Sequence, residues 1–308
     1  MLTRTAVPRR LLAAGAALLV LGGTAACGHD AAGSPGASGR LAVVTAFYPL
    51  QFISERIGGD AVTVTNLTKP GAEPHDLELN PRQVGDINDA GLVVYLKGFQ
   101  PEVDEAVAQE AKDRSFDVST VAPLQPVTAP ADGRPAGAPD PHVWLDPSRL
   151  ATIADRLAAR LGEADAAHAA DYTARSETLR SDLDGLDAEY AKALTTCSRR
   201  EIVTSHSAFN YLATRYHLTQ VGITGIEPES EPSAQRLADV ATEARRTGAT
   251  TIFFETLVSP KVADTIAREV GAKTAVLDPL EGLTQPGGDY LSVMRTNLTA
   301  LTAALGCS

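Results

Sequence analysis

The stretch RLAVVTAFYPLQFISERIGGDAVTVTNLT, residues 40–68, predicts the architecture of the whole chain. Its opening run, RLAVVTAFY, has the continuous apolar character of a buried strand. PLQFISERIGG, which follows, spaces its apolar residues as a helix does and ends in glycine. VTVTNLT, residues 62–68, reads as a second strand. A strand, a helix and a strand in this order predict a βαβ unit with parallel strands.

The same alternation divides the chain into two halves. Residues 41–147 and residues 196–308 each predict an α/β lobe with a largely parallel sheet. Residues 148–195 keep helical periodicity, with a break expected near Gly162, and predict a helical region that includes a long linking helix. Residues 123–140 are rich in proline, alanine and glycine and predict a loop.

Composition and charge argue against several classes of function. The formal net charge is −11, and no cluster of lysine and arginine supplies the basic surface that nucleic-acid binding needs. No glycine pattern of a dinucleotide or phosphate loop follows a predicted strand, and the sequence contains no HExxH, CxxC or GxSxG motif. The charge therefore predicts no nucleic-acid partner. As a separate expectation, we predict a monomer.

The N-terminus is organised as an export signal. A basic segment precedes an apolar run over residues 11–23, which is too short to span a bilayer as a helix. TAAC then places Cys27 directly after small residues, as in bacterial lipoprotein signals. We expect residues 1–26 to be removed, Cys27 to be lipidated and residues 27–40 to form a flexible tether at the outer face of the cell membrane. Secretion without lipid on Cys27 is the alternative.

Two further cysteines, Cys197 and Cys307, remain in the predicted mature chain. An exported protein folds in an oxidising compartment, where an even pair of cysteines favours a disulfide. We predict a Cys197–Cys307 disulfide, with two free thiols as the alternative.

Two loops of the first half present a histidine directly after a proline. GAEPHDLELNP, residues 71–81, carries His75 after the second predicted strand. DPHVWLDP, residues 140–147, carries His142 and leads into the helical region. Proline fixes its own φ and stiffens the approach to each imidazole, as a site that holds its ligands in place requires.

The second half adds two side chains at strand ends. His206 closes the predicted strand REIVTSH, and Asp278 closes AKTAVLD. In open α/β sheets, ligands bind outside the carboxyl ends of the strands. We therefore predict that His75, His142, His206 and Asp278 meet in a site between the two lobes.

The chemistry of this set fits a transition metal. Three neutral imidazoles and one carboxylate suit four-coordinate Zn²⁺, whereas magnesium and calcium take mostly oxygen ligands. The second nitrogen of each imidazole also needs a hydrogen-bond acceptor. The candidate acceptors are Glu73, Asp140, Glu227 and Glu255.

The ordered motifs resemble the solute-binding proteins of zinc/manganese ABC importers, the high-affinity zinc-uptake branch in particular. The resemblance spans roughly residues 41–308 and is carried by GAEPHDLELNP, AGLVVYLKGFQPEVDE, DPHVWLDP, VTSHSAFNYLATRY, EPSAQRLADV, IFFET and VLDPL. It implies two α/β lobes joined by one long rigid helix, a metal in the cleft between them and a permease in the cytoplasmic membrane as partner. It also implies metal-ligand roles for His75, His142, His206 and Asp278.

Two features refine the resemblance. Manganese members usually carry a carboxylate at the position of His206, so histidine there favours zinc over manganese. Zinc members often bear a long histidine-rich loop. The corresponding loop here, PLQPVTAPADGRPAGAPD at residues 123–140, contains no histidine. The resemblance therefore implies a tight zinc site without a metal-gathering loop.

Three alternatives stay open at this point. A manganese-binding or iron-binding protein, or a metal-binding surface adhesin, fits the same scaffold. A zinc hydrolase is a more remote alternative, because three histidines with an open fourth position form a catalytic pattern. A fourth protein ligand closes that position and favours binding over catalysis.

Overall fold

The computed structural model describes residues 39–127, 137–283 and 287–308. These residues all belong to one compact unit, residues 33–308. Outside the described residues lie the predicted signal peptide, Cys27, the predicted tether up to residue 38 and residues 128–136 of the predicted loop.

The first lobe is built on a four-stranded sheet in the order β2-β1-β3-β4, and every neighbouring pair is parallel. Helices connect successive strands, as parallel pairing requires. The strands are β1 (Leu41–Thr45), β2 (Val62–Asn66), β3 (Leu92–Tyr95) and β4 (Ser115–Asp117), and the helices are α1 (Tyr48–Gly58), α2 (Pro81–Asp89) and α3 (Pro101–Glu110).

A helical region follows the first lobe and joins it to the second. Helix α4 (Pro147–Ala164) begins at a proline behind the cap Asp146, and α5 (Ala169–Ala193) follows a single 3-10 turn at Ala166–His168. The break expected near Gly162 thus lies a few residues later. There the Asp165 carboxylate accepts hydrogen bonds from the Tyr172 hydroxyl and the His168 ring.

Helix α5 contacts both lobes. Its buried residues recur at helical spacing on one face. Arg175 donates to the carbonyl of Gly58 at the end of α1, and the Tyr190 hydroxyl donates to the carbonyl of Met294 in the second lobe. A helix of 25 residues is about 37 Å long, enough to run alongside both lobes.

The second lobe repeats the topology of the first. Its sheet has the order β6-β5-β7-β8, again with every pair parallel. The strands are β5 (Glu201–Thr204), β6 (Thr219–Gly222), β7 (Thr251–Phe254) and β8 (Lys273–Val276), and the helices are α6 (Asn210–Arg215), α7 (Ala234–Thr247), α8 (Lys261–Val270) and α9 (Tyr290–Leu305). The predicted class, two α/β lobes with parallel sheets and a long helix between them, is confirmed.

The apolar core is continuous across the two lobes. One cluster runs from the first sheet through Trp144 and the buried faces of α4 and α5 to Phe209, Leu280 and Met294 in the second lobe. A smaller cluster lies between the second sheet and helices α7 and α8. The shared core holds the two strand-end edges in a fixed relation. No helix in the described ranges is both long and apolar enough to cross a bilayer.

The predicted disulfide between Cys197 and Cys307 is present. It joins the segment between α5 and β5 to the residues after α9. Backbone hydrogen bonds from Ser198 to Gly306 and from Arg199 to Leu305 run beside it. The disulfide therefore fastens the end of the chain to the start of the second lobe.

Removing the disulfide is expected to destabilise the protein without removing the metal site. The two cysteines are 110 residues apart, and chain-entropy arguments assign such a link about 2–5 kcal/mol. A Cys197→Ser, Cys307→Ser variant should lose about that much free energy of unfolding in urea titrations. Equal unfolding midpoints for the variant and the wild type would contradict this expectation.

Candidate metal centre

The loop that carries His75 is closed at its base by one glutamine. Asn80 caps α2, with its side chain accepting from the backbone of Arg82 and Gln83. The Gln83 amide in turn accepts from the backbone of Asn80 and donates to the carbonyl of Leu67. Residues 67 and 80, the two ends of the loop, are therefore held together.

Buried side chains also fix the residues next to His75. The Gln100 amide, 2% exposed, donates to the carbonyl of Pro74 at 2.9 Å. Glu73 accepts from the backbone N–H of His75 at 3.0 Å. The His75 ring packs edge-on against Phe99, with ring centroids 4.6 Å apart. These contacts direct the imidazole towards the second lobe.

His142 is held by Asp140, two residues earlier. One oxygen of Asp140 accepts from the backbone N–H of His142 at 3.0 Å and lies 2.8 Å from its Nδ1. The Tyr211 hydroxyl donates to the carbonyl of Asp140 at 2.9 Å, which links this loop to the second lobe. Trp144 packs against the His142 ring and forms one wall of the site.

His206 follows the central strand β5. Its carbonyl accepts from the Thr204 hydroxyl at 2.6 Å and from the Gln220 amide at 3.0 Å. Its Nδ1 lies 2.8 Å from Glu255, which follows β7. Because β5 and β7 are neighbouring parallel strands, both side chains leave the same edge of the sheet.

The structure brings the three histidines together and adds Glu281 to them. The possible ligand atoms of His75, His142, His206 and Glu281 lie within 4.8 Å of one another, and all four residues are buried. Oε1 of Glu281 is 3.4 Å from Nε2 of His75, 3.0 Å from that of His142 and 3.4 Å from that of His206. Two of these residues come from each lobe, so the group forms in the cleft, as predicted.

Four of the distances between these atoms are close to those of a tetrahedral zinc site. Bonds of about 2.0–2.2 Å in a tetrahedron place ligand atoms roughly 3.3–3.6 Å apart. Nε2 of His142 and Nε2 of His206 are 3.3 Å apart, and the Glu281 contacts span 3.0 to 3.4 Å. Oε2 of Glu281 is buried and has no hydrogen-bond partner among the described residues, although buried polar atoms are usually paired. This arrangement can hold one zinc ion.

Asp278 does not belong to this group, which therefore differs from the ligand set predicted from the sequence. One of its carboxylate oxygens accepts from the backbone N–H of Leu280 at 2.8 Å, and the other accepts from the Thr256 hydroxyl at 3.2 Å. Both oxygens are thus engaged within the second lobe. The one sequence feature that could have suggested Glu281 is its position three residues after Asp278 in the same loop.

Each histidine has its own carboxylate on Nδ1, opposite the nitrogen that faces Glu281. Asp140 serves His142, Glu255 serves His206 and Glu227 lies 3.3 Å from Nδ1 of His75. Three of the four predicted acceptors therefore take this role. A carboxylate on Nδ1 holds the proton there and leaves Nε2 free to bind a metal.

The charges of the group are strongly coupled. Burial alone raises the pKa of Glu281, but the neighbouring histidines, His206 first, outweigh burial and hold that pKa well below its usual range. Burial alone lowers the pKa of His206, but Glu255 and Glu281 outweigh it and hold that pKa well above its usual range. Burial and repulsion from Glu281 raise the pKa of Glu73 to about 7. Without metal, a protonated imidazole thus balances the buried carboxylate.

Known proteins share this fold and much of the sequence. Residues 43–304 match the family described as the periplasmic component A of zinc-uptake complexes, ZnuA. The chain belongs to the ZnuA family. The family resemblance found in the sequence is thereby confirmed.

Individual members of the family align over most of the chain. It is 34% identical over 288 residues to the zinc-binding protein AdcA of Streptococcus pyogenes, covering 86% of this chain and 56% of AdcA, so it spans about half the length of that relative. It is 34% identical over 297 residues to the high-affinity zinc uptake system protein ZnuA of Bacillus subtilis, covering 91% of this chain and 93% of that protein.

A solved structure of the family carries the same fold. The crystal structure of the Zn(II)-bound ZnuA-like domain of Streptococcus pneumoniae AdcA matches with a TM-score of 0.75 at 33% identity. The match covers 87% of this chain and 99% of that domain.

Zinc binding is expected to release protons at pH 7. The raised pKa of His206 keeps its imidazole charged in the metal-free protein, and that proton must leave before Nε2 binds metal. Affinity should therefore fall as the pH decreases. The number of protons released follows from calorimetric enthalpies in buffers of different ionisation enthalpy.

Glu255→Gln removes a carboxylate that raises the His206 pKa, and so should reduce the number of protons released. The matched control is Asp165→Asn, which removes the carboxylate partner of the partly exposed His168 and should leave the number unchanged. If Glu255→Gln releases as many protons as the wild type, the assignment of the released proton to His206 is wrong.

Proposed function

We propose that this protein captures Zn²⁺ outside the cytoplasm and delivers it to the permease of an ABC importer. The observation that carries the proposal is the buried group of three imidazole nitrogens and one carboxylate oxygen, contributed equally by the two lobes at the spacing of a tetrahedral zinc site. The printed names of the relatives, zinc-binding AdcA and zinc-uptake ZnuA, support the same function.

The ligand types favour zinc over the alternative metals. Imidazole is a good ligand for zinc, whereas manganese prefers carboxylate, carbonyl and water oxygens. Three of the four donor atoms here are imidazole nitrogens. Manganese is supported only by the shared scaffold, whereas the donor set also supports zinc. Imidazole suits iron as well as zinc, so the choice of zinc over iron rests on the printed names of the relatives. The donor set does not bear on a surface adhesin.

We further propose that the protein is not an enzyme. Catalytic zinc sites keep one position for water or substrate, whereas a set of four protein ligands leaves none. His142 and Glu281 are 0% exposed, so neither presents a surface to a substrate. The remote alternative of a zinc hydrolase is therefore disfavoured by the same four residues that favour binding.

The remaining parts of the proposal concern location and partners. The export signal and Cys27 support a lipid anchor at the outer face of the cell membrane, which the mass of the mature protein tests. The acidic chain supports the absence of a nucleic-acid partner, and we propose a monomer, which light scattering tests. Delivery is tested by zinc uptake in cells that lack the protein or express it.

The main test is metal content and selectivity. Native mass spectrometry of protein purified without added metal, read with elemental analysis, should show one zinc per chain. Manganese should lose a direct competition with zinc. Two equally tight zinc sites, or a competition that manganese wins, would overturn the zinc assignment.

Variants of the histidines test the site residue by residue. Alanine at His75, His142 or His206 removes a metal–nitrogen bond and should weaken zinc binding by more than about tenfold. The controls His168→Ala and His217→Ala, outside the group, should bind as the wild type does. Wild-type affinity in His142→Ala would require a different site.

A further inference from the structure

The turn that presents Glu281 to the histidines contains a residue in an unfavourable backbone conformation. Leu280, directly before Glu281, has a φ of 60°. This value lies in the left-handed region, which residues other than glycine, asparagine and aspartate rarely adopt. Its side chain is fully buried. Such a conformation persists only where surrounding contacts enforce it.

The contacts that enforce it converge on Asp278. Its Oδ1 accepts from the N–H of Leu280 at 2.8 Å, the geometry of an aspartate turn, and its Oδ2 accepts from the Thr256 hydroxyl at 3.2 Å. Its backbone N–H donates to Oδ1 of Asn297 at 2.9 Å, and its carbonyl accepts from Nδ2 of the same amide at 2.7 Å. Asn297 is buried on α9.

The other side of the turn is fixed by the first lobe. The indole N–H of Trp144 donates to the carbonyl of Pro279 at 2.7 Å, and the Tyr290 hydroxyl donates to the carbonyl of Trp144. Trp144 also packs on the His142 ring. The turn that bears Glu281 is thus tied to the same side chain that supports one of the histidines.

Glu281 itself has little else to hold it. The hydrogen-bond contacts of its Oε1 are the Nε2 atoms of the histidines, and Oε2 has no partner in the described part of the chain. Apart from the histidines themselves, the backbone of the turn is therefore what places the Glu281 side chain before the metal binds.

We propose that Asp278 is a positioning residue: it holds Leu280 in the left-handed conformation and so directs Glu281 to the metal, without binding the metal itself. This inference rests on the proposed zinc binding. It gives a structural reason for an aspartate at this place in the loop that does not require a metal–oxygen bond.

The test compares zinc affinities, measured by competition with a chromophoric chelator. Asp278→Ala removes the acceptor for Leu280 and should weaken binding by about 10–100-fold, as for other residues that orient a ligand. Asp278→Asn keeps an oxygen that can accept from Leu280 and should bind within about threefold of the wild type. If Asp278 were a metal ligand, Asp278→Asn would remove its charge, and that variant would bind zinc as poorly as Asp278→Ala.

A double variant tests whether Asp278 acts through Glu281. Once Glu281→Ala has removed the ligand, adding Asp278→Ala should have no further effect, because there is nothing left to direct. The matched control is Asp117→Ala. Like Asp278, Asp117 accepts from the backbone N–H two residues later, but it lies in the first lobe at the end of β4, far from Asp278 in the sequence. It should bind zinc as the wild type does.

Two further readouts separate positioning from general damage. Circular dichroism and thermal unfolding of the metal-free variants check that each is folded. The visible spectrum of the cobalt-substituted protein should change in the same way in Asp278→Ala and Glu281→Ala, and should be restored in Asp278→Asn.

The outcomes are distinct. If the wild type binds zinc tightly, three results would each overturn the positioning role alone. They are an unchanged affinity in Asp278→Ala, equal losses of affinity in Asp278→Asn and Asp278→Ala, and an additive loss in the double variant. Failure of the wild type to bind zinc tightly would overturn the proposed function and this inference with it.

Discussion

The rest of the site depends on one buried carboxylate oxygen. Oε1 of Glu281 lies 3.0 to 3.4 Å from the Nε2 atoms of three imidazoles that reach it from both lobes. An uncompensated charge in such a place is costly, so the carboxylate and at least one protonated imidazole stabilise each other in the metal-free protein. A divalent cation replaces the proton and satisfies all four groups at once.

The carboxylates behind the histidines extend this balance outward. Asp140 and Glu255, each about 1% exposed, hold two of the imidazoles by Nδ1, while Glu227 at the more open side holds the third. With Glu281 they supply more negative charge than one zinc ion neutralises. This excess favours a doubly charged ion over a singly charged one, and it couples zinc binding to pH through His206.

The two lobes act as a frame for this group. A continuous apolar core and the helix α5, which contacts both lobes, limit how far the lobes can separate. Because each lobe supplies two ligands and all four are buried, a bound ion cannot leave while both lobes keep their places. Within the proposed function, release to a permease therefore requires that the loops of one lobe move away from those of the other.

Much of this could be predicted from the sequence, for physical reasons. Parallel strands place their carboxyl ends at one edge, so His75, His142 and His206 could be expected to meet. Glu281 could not be chosen over Asp278, because that choice depends on the left-handed conformation of Leu280, and leucine has no intrinsic preference for it. Asp278 holds this conformation, and the contacts that fix Asp278 and Pro279 in turn come from Asn297 and Trp144, which are distant in sequence.

A crystal structure of the zinc-loaded protein, with anomalous data collected at the zinc edge, would identify the four ligands. We predict one anomalous peak in the cleft, about 2.0–2.2 Å from Nε2 of each of the three histidines and from a carboxylate oxygen of Glu281, with Asp278 still bonded to the N–H of Leu280. A peak within bonding distance of Asp278, or of ligands from one lobe only, would rule out this ligand set.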